Sequence, residues 1–298
     1  MRIRPAGLIL TVLLAVPAAY AQQIFTSTAM RTTDGTATVT LKAARPIAPA
    51  AVTGAPFTAD RVSEHTQTLG DGTHIRQPQN VEHIARDSKG RTRTERTLFQ
   101  GMMGDPQMRD FRVTEISDPV GGFAYVLDDQ NKVAHRMALE GRPQRQPPIA
   151  PAAEPVAGAV MIGQAVGGVG VGGGGAGGAV RKAPADDPMQ PQHATEKLAS
   201  KNIEGVIAEG TRSTTTWPVN SQGNDRPIVQ TNEFWRSAEL KETVLSTNND
   251  PRNGESVTKL INISRAEPDP SLFEPPSGYT VVDDKDSVTI TFKRQQAQ

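Results

Sequence analysis

The chain has 298 residues, no cysteine, and equal numbers of acidic and basic side chains, 32 of each. Without cysteine it can form neither disulfides nor thiolate metal sites, and the balanced charge does not favour nucleic acid as a partner. Its 27 glycines, 23 prolines and 4% aromatic residues predict that part of the chain does not pack into a core.

The first 21 residues have the features of a cleaved secretory signal peptide. Arg2 and Arg4 precede an apolar run, Leu8–Val16, and Ala19–Ala21 is a small-x-small cleavage site. The apolar run is too short for a stable transmembrane anchor, and no cysteine is available to carry a lipid. Removal of Arg2 and Arg4 from 32 basic and 32 acidic side chains leaves a formal charge of −2. We therefore expect a periplasmic or secreted protein without an integral membrane segment after cleavage.

Residues 22–56 form a leader that is rich in Ala, Thr and Pro and has little apolar periodicity. This composition predicts a mostly disordered segment. Apolar and polar residues alternate in Ala37–Leu41, which leaves open one short strand. We expect the packed domain to begin after this leader.

The first half of the packed domain, residues 57–140, is predicted to be a series of antiparallel strands. Turn residues at Gly70–Gly72 and Asp87–Gly90 separate three β-prone runs, which is typical of a meander. Pro78 lacks an amide hydrogen and is expected at a bulge or an edge. Further strands are expected at Phe111–Ile116, Gly122–Leu127 and Lys132–Met137.

Residues 141–194 are a linker of low complexity that is rich in Pro and Gly. The part from Gly158 to Gly178 holds 11 of the 27 glycines. It lacks the following helix and the Lys-Ser or Lys-Thr pair of a phosphate-binding loop, so we do not expect a nucleotide site. We interpret the linker as a disordered excursion from the domain surface. Its Val and Ala residues leave open an association with an apolar surface, a membrane or a partner.

The second half of the β domain, residues 195–298, contains two predicted hairpins. The first lies within Glu196–Thr216 and turns at Ser200–Asn202. The second joins Glu242–Thr247 to a run that ends at Ile263, because the Asn-Gly pair before this run readily adopts positive φ.

The run Glu255–Ile263 is amphipathic when it is extended. Val257, Ile261 and Ile263 share one face with Lys259, whereas Ser256, Thr258, Asn262 and Ser264 share the other face. We expect the apolar face to be the dry one.

A short helical turn is expected after Asp269. Asp269 is a candidate N-cap, Pro270 suits the first helical position, and Pro275 must end the helix. The turn would press Leu272–Phe273 into the core. With a final alternating strand at Ser287–Lys293 the chain has about ten predicted strands and no long amphipathic helix. The fold class is therefore mainly β.

Three histidines recur every nine residues and raise the question of a metal site: His65, His74 and His83. His74 and His83 lie on one predicted strand with opposite parity, so they face opposite sides unless Pro78 resets the phase. No carboxylate or cysteine cluster accompanies them. We therefore expect no metal site.

No catalytic centre is recognisable. The chain has no Gly-x-Ser-x-Gly nucleophile elbow and no cysteine. A carboxylate pair of the glycosidase type could be drawn from Asp128–Asp129 and Asp283–Asp284, but turn chemistry explains both doublets. We expect no catalytic residue, no enzymatic activity and no cofactor.

The run Arg91–Arg96 is polar on both faces. The favoured interpretation is an edge strand whose charges block pairing with another sheet. The alternative is a strand that lines a groove for an anionic group. Three acidic residues near the C-terminus could pair with it: Asp283, Asp284 and Asp286.

Several motifs together resemble a known family. In chain order they are Gly122–Asp128, Ile203–Val206, Phe234–Leu240, Pro270–Phe273 and Pro276–Tyr279. An exported chain with these motifs resembles the outer-membrane lipoprotein carrier and sorting superfamily, in particular an uncharacterised branch of secreted bacterial proteins. The likeness covers Phe57–Met137 and Thr195–Asp284. It implies an open, curved antiparallel half-barrel with one or two short helices, whose concave face holds acyl chains.

We therefore predict an exported, non-enzymatic protein that binds an apolar ligand, a lipid or lipoprotein acyl chain, in the concave face of its sheet. The residues predicted to line this face are Tyr125, Trp235, Val244, Val257, Ile261 and Ile263. A simpler interpretation is that these side chains are core. The alternative function is an envelope sensor or protein–protein interaction module that binds another envelope protein and no small ligand.

Overall fold

The structure is a computed structural model that describes residues 10–13, 25–31, 37–44, 50–97, 112–139, 189–285 and 287–294. Most of the predicted Pro- and Gly-rich linker, residues 141–188, lies outside the described residues, and so does Asp286. Of the predicted signal peptide, the structure describes residues 10–13.

The described residues form seventeen strands and one 3-10 turn, Pro270–Phe273. The strands are β1 (Leu10–Leu13), β2 (Phe25–Arg31), β3 (Ala37–Ala44), β4 (Phe57–Thr68), β5 (His74–Arg76), β6 (Asn80–Arg86), β7 (Thr92–Thr97), β8 (Arg112–Asp118), β9 (Phe123–Asp128), β10 (Val133–Ala138), β11 (Gln192–Ile203), β12 (Val206–Trp217), β13 (Ile228–Ser237), β14 (Glu242–Asp250), β15 (Gly254–Ser264), β16 (Thr280–Asp284) and β17 (Ser287–Arg294). Over these ranges, no helix is long and apolar enough to cross a membrane.

Thirteen of these strands form one sheet in the order β11-β12-β13-β14-β15-β4-β6-β7-β8-β9-β10-β16, with β5 paired to β4. The first meander, β4 to β10, and the second meander, β11 to β15, meet along the antiparallel pair β15–β4, so both halves share the same sheet. β16, at the end of this sheet order, pairs with β10 in parallel. The sheet is curved and does not close into a barrel. This confirms the predicted mainly β, half-barrel fold.

The helical turn after Asp269 is confirmed. Asp269 Oδ1 accepts a hydrogen bond from the Ser271 amide at 2.9 Å, and Pro270 is the first residue of the turn. Phe273 is 2% exposed, whereas Leu272 is half-buried. The turn thus packs one aromatic ring, that of Phe273, into the core. Its proline and its N-cap define where the turn starts.

The first hairpin of the second half turns later than the sequence predicts. β11 continues through Ser200–Asn202, with a register shift that begins after Leu198. The turn residues are Glu204 and Gly205, with φ of 50° and 81°. The polar residues at the predicted turn lie at a β-bulge within β11. A bulge bends a strand without ending it.

The polar run Arg91–Arg96 is not an edge strand, contrary to the favoured interpretation. Most of it forms β7, which pairs with β6 on one side and with β8 on the other. Arg93 Nε donates to Glu95 Oε1 at 2.7 Å, and Arg96 Nη2 lies 2.6 Å from Glu115 Oε1. Ion pairing of this kind allows a charged strand to lie inside a sheet.

The acidic pair near the C-terminus contacts β10 and not β7. Asp283 accepts hydrogen bonds from Arg136 Nε and Nη2 at 2.5 and 2.9 Å. Asp284 Oδ2 lies 2.9 Å from His135 Nδ1. These contacts hold β16 in register beside β10.

The strands β1, β2, β3 and β17 form a second, antiparallel sheet in that order. β2 and β3 lie in the leader for which disorder was predicted, and β3 includes the short strand left open at Ala37–Leu41. β1 lies within the predicted signal peptide. Cleavage after Ala21 stays a prediction, and it would remove β1.

The main core combines residues from both meanders. We call it the interior cluster; its buried members are Phe57, Ala59, Ile84, Val206, Ala208, Trp235, Leu240, Val244 and Leu260. A second group, the turn cluster, packs around the 3-10 turn and consists of Ala85, Ile116, Leu127, Ala134 and Phe273. The interior cluster joins the two halves of the chain by apolar burial.

Candidate functional site

Trp235 and Val244, two of the six residues predicted to line a ligand site, belong to the interior cluster. The ladder pairs Trp235 with Leu245 and Arg236 with Thr243, so Val244 is the extra residue of a β-bulge. Val244 is 0% exposed and Trp235 is 6% exposed. Both side chains are therefore core residues and do not line free space.

The indole of Trp235 is surrounded by protein contacts. A Cβ atom built on Gly210 would lie 2.6 Å from Cζ3 of the ring, so the backbone of β12 approaches the ring closely. The ammonium of Lys201 lies 3.7 Å from the ring centroid, and Nε1 lies 3.3 Å from Glu233 Oε2, to which it donates a hydrogen bond. The ammonium of Lys201 over the ring and the close backbone at Gly210 both restrict the position of the indole.

Tyr125 lies at the turn cluster and not at the interior cluster. It is half-buried and packs against the turn cluster, as do Leu272 and Tyr279. Tyr279 Oη donates a hydrogen bond to Asp129 Oδ1 at 2.5 Å. Burial of the phenol, reinforced by this hydrogen bond, raises the pKa of Tyr279 to about 12. Tyr125 thus supports the 3-10 turn and is not brought together with Trp235.

The three candidates on β15 do not share one dry face. Asn262 has a φ of 55°, and the ladder with β4 shifts after Ile261, so Ile263 turns toward the interior cluster. The buried residue of this strand is Leu260, which is 1% exposed and lies on the side for which a wet face was predicted. Val257 and Ile261 are half-buried and belong to neither cluster.

Val257 and Ile261 flank Lys259 at positions two residues away, so the three side chains share one face of β15. The ladder places Leu245 of β14 opposite Lys259 on one side and Val62 of β4 opposite it on the other. Val62 is 3% exposed and the other four residues are half-buried, with Leu245 also touching the interior cluster. We call these five residues the Lys259 patch. It consists of one cation among four aliphatic side chains.

The ammonium group of Lys259 has neither a hydrogen bond nor an ion pair within the part of the chain that the structure describes. The methylene stem of a lysine packs well against aliphatic neighbours, but its charge requires water or an anion. The patch therefore places apolar surface and an unused positive charge side by side.

The carboxylates that flank the patch along β4 are bound by other donors. Asp60 Oδ2 accepts a hydrogen bond from Asn262 Nδ2 at 2.7 Å, and Glu64 Oε1 accepts one from Gln79 Nε2 at 2.5 Å. The hydrogen bond from Asn262 is the main cause that lowers the pKa of Asp60 below its usual value. Both donors are neutral amides, which do not cancel the charge of a carboxylate, and the ladder places Asp60 and Glu64 directly opposite Ile261 and Val257.

A cleft of about 390 Å³ opens where β4 meets the short strand β5. It is lined by polar side chains: Glu64, His65, Thr66, Arg76, Gln77 and Gln79. Beside it, His65 Nδ1 lies 2.9 Å from Ser256 Oγ, and Ser63 Oγ lies 3.0 Å from Thr258 Oγ1. This cleft suits water or polar groups, so it is not the hydrocarbon-lined trough expected from the sequence.

Two ion pairs on neighbouring strands were not recognised from the sequence. Arg61 Nη1 lies 3.0 Å from Glu82 Oε2, and Arg96 Nη2 lies 2.6 Å from Glu115 Oε1. Burial raises the pKa of Glu115 to about 7, although the positive charge of Arg96 opposes this shift. The sequence signal is a carboxylate between the buried residues Val113 and Ile116 of β8, but its partner becomes visible only once the register is known.

The three regularly spaced histidines do not converge. His65 bonds to Ser256, His74 Nδ1 lies 3.0 Å from Thr68 Oγ1, and His83 pairs with Asp60. In the described ranges, no three or more His, Cys, Asp or Glu side chains are grouped so that they could hold a metal ion. These histidines serve local hydrogen bonds.

Fold and site together define a curved, open β-sheet protein with a half-buried aliphatic patch around one lysine. No protein-family model matches the chain, and no curated protein matches it. Among the solved structures that match is a LolA superfamily protein, NE2245, from Nitrosomonas europaea. The two chains are 14% identical, the match covers 74% of this chain and 90% of that chain, and the TM-score is 0.26. With a TM-score this low, the likeness bears on the fold at most and does not assign a function.

Proposed function

We propose that this chain is an exported, non-enzymatic binding protein that holds an apolar ligand, a lipid or a lipoprotein acyl chain, on its curved sheet. The observation that carries the proposal is the Lys259 patch, whose residues Leu245, Val257 and Ile261 stay half-buried on a sheet face while the interior cluster is filled. Incompletely buried aliphatic side chains gain about 25 cal/mol for each Å² that a hydrocarbon covers.

The expected affinity follows from the size of the patch. Each methylene removed from water contributes about 0.8 kcal/mol, and association costs on the order of 4–15 kcal/mol in lost freedom. A single acyl chain over the three half-buried aliphatic side chains of the patch, Leu245, Val257 and Ile261, therefore binds weakly and reversibly. Reversible binding is what a carrier needs, because its cargo must also be released.

The six predicted residues take different roles in this proposal. Val257 and Ile261 contact the ligand directly. The other four shape and support the sheet as packed residues: Tyr125, Trp235, Val244 and Ile263. Export through the predicted signal peptide and a periplasmic or secreted location belong to the same proposal.

The free edge of β11 favours a second function, a module that binds another envelope protein. β11 is twelve residues long, ten of them are exposed, and within the described residues it pairs with β12 alone. The unpaired amides and carbonyls of such an edge can accept a strand from a partner. In this alternative the chain is a sensor or interaction module without a small ligand.

Native mass spectrometry of the protein purified without detergent from its own envelope tests the proposal. We expect a lipid adduct that is lost in Ile261→Ser and kept in the matched control Val229→Ser, because Val229 is 43% exposed outside the patch. A ligand-free spectrum at every charge state, with no lipid in an organic extract, would contradict the proposal. Crosslinking in cells that repeatedly traps one protein, without lipid, would support the β11 edge instead.

A further inference from the structure

We infer that removal of the signal peptide exposes the outer edge of β2 and that the mature chain pairs this edge, antiparallel, with β2 of a second copy. The inference goes beyond ligand binding, and it rests on the cleavage after Ala21 that the proposed function includes. In the uncleaved chain this position is occupied, because β1 is the end strand of the second sheet and lies beside β2.

β1 shows that the outer edge of β2 accepts an antiparallel strand. The ladder between the two strands runs without a shift from the pair Leu10 and Ala29 to the pair Leu13 and Thr26. On its other side, β2 pairs with β3 over all seven of its residues, so the ladder with β3 holds β2 when β1 is removed. The amides and carbonyls that β1 satisfied are then free for a new strand.

The sequence of β2 lacks the features that protect a sheet edge from pairing. The strand contains no proline and no glycine, and its one charged residue, Arg31, lies at its end. Its register with β3 has no shift, so no bulge bends the edge away. A regular strand of seven residues with a single charge readily pairs with another strand.

The edge of β11 is less suited to pairing with a second copy of itself. Its register shifts after Leu198, which marks a β-bulge. It also has three charged residues: Glu196, Lys197 and Lys201. Bulges and charges of this kind oppose pairing between two identical edges.

Two copies of β2 fit each other in an antiparallel register that pairs every residue. Thr28 then lies opposite Thr28 of the second copy, a cross-strand pair that favours a sheet. The remaining pairs of this register are Ser27 with Ala29, Thr26 with Met30 and Phe25 with Arg31. The register therefore opposes no like charges. An interface built on one pair of strands is small, so we expect a weak dimer that depends on concentration.

Sedimentation velocity of the mature and the uncleaved chain tests the inference. The mature chain is purified from its own envelope, and its intact mass locates the cleavage site. The uncleaved chain is synthesised in a cell-free reaction without membranes, where no signal peptidase acts. We expect a dimer whose fraction rises with concentration in the mature chain and a monomer in the uncleaved chain. The free edges of β11 and β17 are the same in both chains, so they cannot produce this difference.

A charge exchange at Thr28 tests the register. In Thr28→Lys alone and in Thr28→Glu alone, like charges lie opposite each other, so the mature dimer should weaken about fivefold. An equimolar mixture of the two variants should form a mixed dimer at least as strong as the natural one, because opposite charges then face each other. Recovery on mixing also shows that each variant is folded. The matched control Thr195→Lys adds the same charge to an exposed position of β11 and should leave the dimer unchanged.

The outcomes separate the inference from the proposed function. A cleaved chain that stays monomeric at every concentration would overturn the inference, and a lipid adduct on that monomer would leave the proposed function standing. An equally strong dimer of the uncleaved chain, or a dimer that Thr195→Lys weakens and Thr28→Lys does not, would overturn the role of β2. An envelope protein that still carries residues 1–21 would overturn the inference together with the cleavage in the proposed function.

Discussion

Arg86 and Glu242 form a buried ion pair, with 3.7 Å between Nη1 and Oε2, that ties the first meander to the second. The two residues are 2% and 6% exposed. Arg86 Nε also donates to the carbonyl of Ala55 at 3.0 Å, and the guanidinium lies 4.7 Å from the centroid of the Phe57 ring. A buried charge with several partners becomes costly when it loses one of them.

Replacing Arg86 by Met should destabilise the protein by about 3–5 kcal/mol, because Glu242 is then a buried carboxylate without its cation. Urea unfolding followed by circular dichroism measures this loss. The control Arg136→Met removes the cation of the more exposed pair with Asp283 and should cost about 0–1 kcal/mol. Similar small losses in both variants would show that the buried pair does not hold the meanders together.

The contact between Gly210 and Trp235 predicts the effect of a single methyl group. Gly210→Ala would place Cβ 2.6 Å from the ring, so the indole must move, at a cost of about 1–3 kcal/mol in stability. Gly70→Ala is the control, since nothing lies within 4 Å of a Cβ at that position. Thermal unfolding compares the two, and an unchanged melting temperature in Gly210→Ala would contradict the close approach.

The buried carboxyl of Glu115 predicts a pH dependence of stability. Its pKa rises from 4.5 to about 7 on folding, mainly through burial. The folded state therefore holds a proton that the unfolded state releases between these values. Stability should be greatest below pH 4.5 as far as this group is concerned, and it should fall by up to about 3 kcal/mol as the pH rises to 7.

The variant Glu115→Gln isolates this contribution, because its side chain does not titrate. The free energy of unfolding of the natural chain, relative to that of the variant, should decline between pH 4.5 and 7 and then level off. A difference that stays constant over this interval would mean that Glu115 is ionised in the folded protein throughout.

The turn between β11 and β12 predicts a stabilising substitution. Glu204 and Gly205 have φ of 50° and 81°, a pair of positive values for which Asn-Gly is the preferred sequence. Glu204→Asn should therefore raise the free energy of unfolding by about 0.5–1 kcal/mol, since Asn adopts this conformation with less strain. Glu209→Asn, within β12, should give no such gain. A loss of stability in Glu204→Asn would contradict the geometry of the turn.

Features that depend on neighbours along the chain were predictable. Asp269 and Pro270 define the 3-10 turn, and the positive φ of Gly254 places the predicted hairpin turn after β14. At Pro78 the sequence predicted a bulge or an edge within one strand, whereas the structure breaks this strand into β5 and β6, because a residue without an amide hydrogen cannot donate to the ladder. The bulge after Leu198, in contrast, was not predictable. It allows β11 to continue through Ser200–Asn202, a polar stretch that the sequence predicted as a turn.

By itself, the sequence determined that this protein is mainly β and where most strands begin and end, because alternation and turn chemistry act over a few residues. The tertiary structure alone decided which side of each strand is buried and which charges meet, because bulges at Val244 and near Asn262 exchange the faces and partners come from distant strands. For this reason Lys259 could be seen as a neighbour of Val257 and Ile261 from the sequence. The positions of Asp60 and Glu64 on β4, opposite Ile261 and Val257, became visible only in the folded sheet.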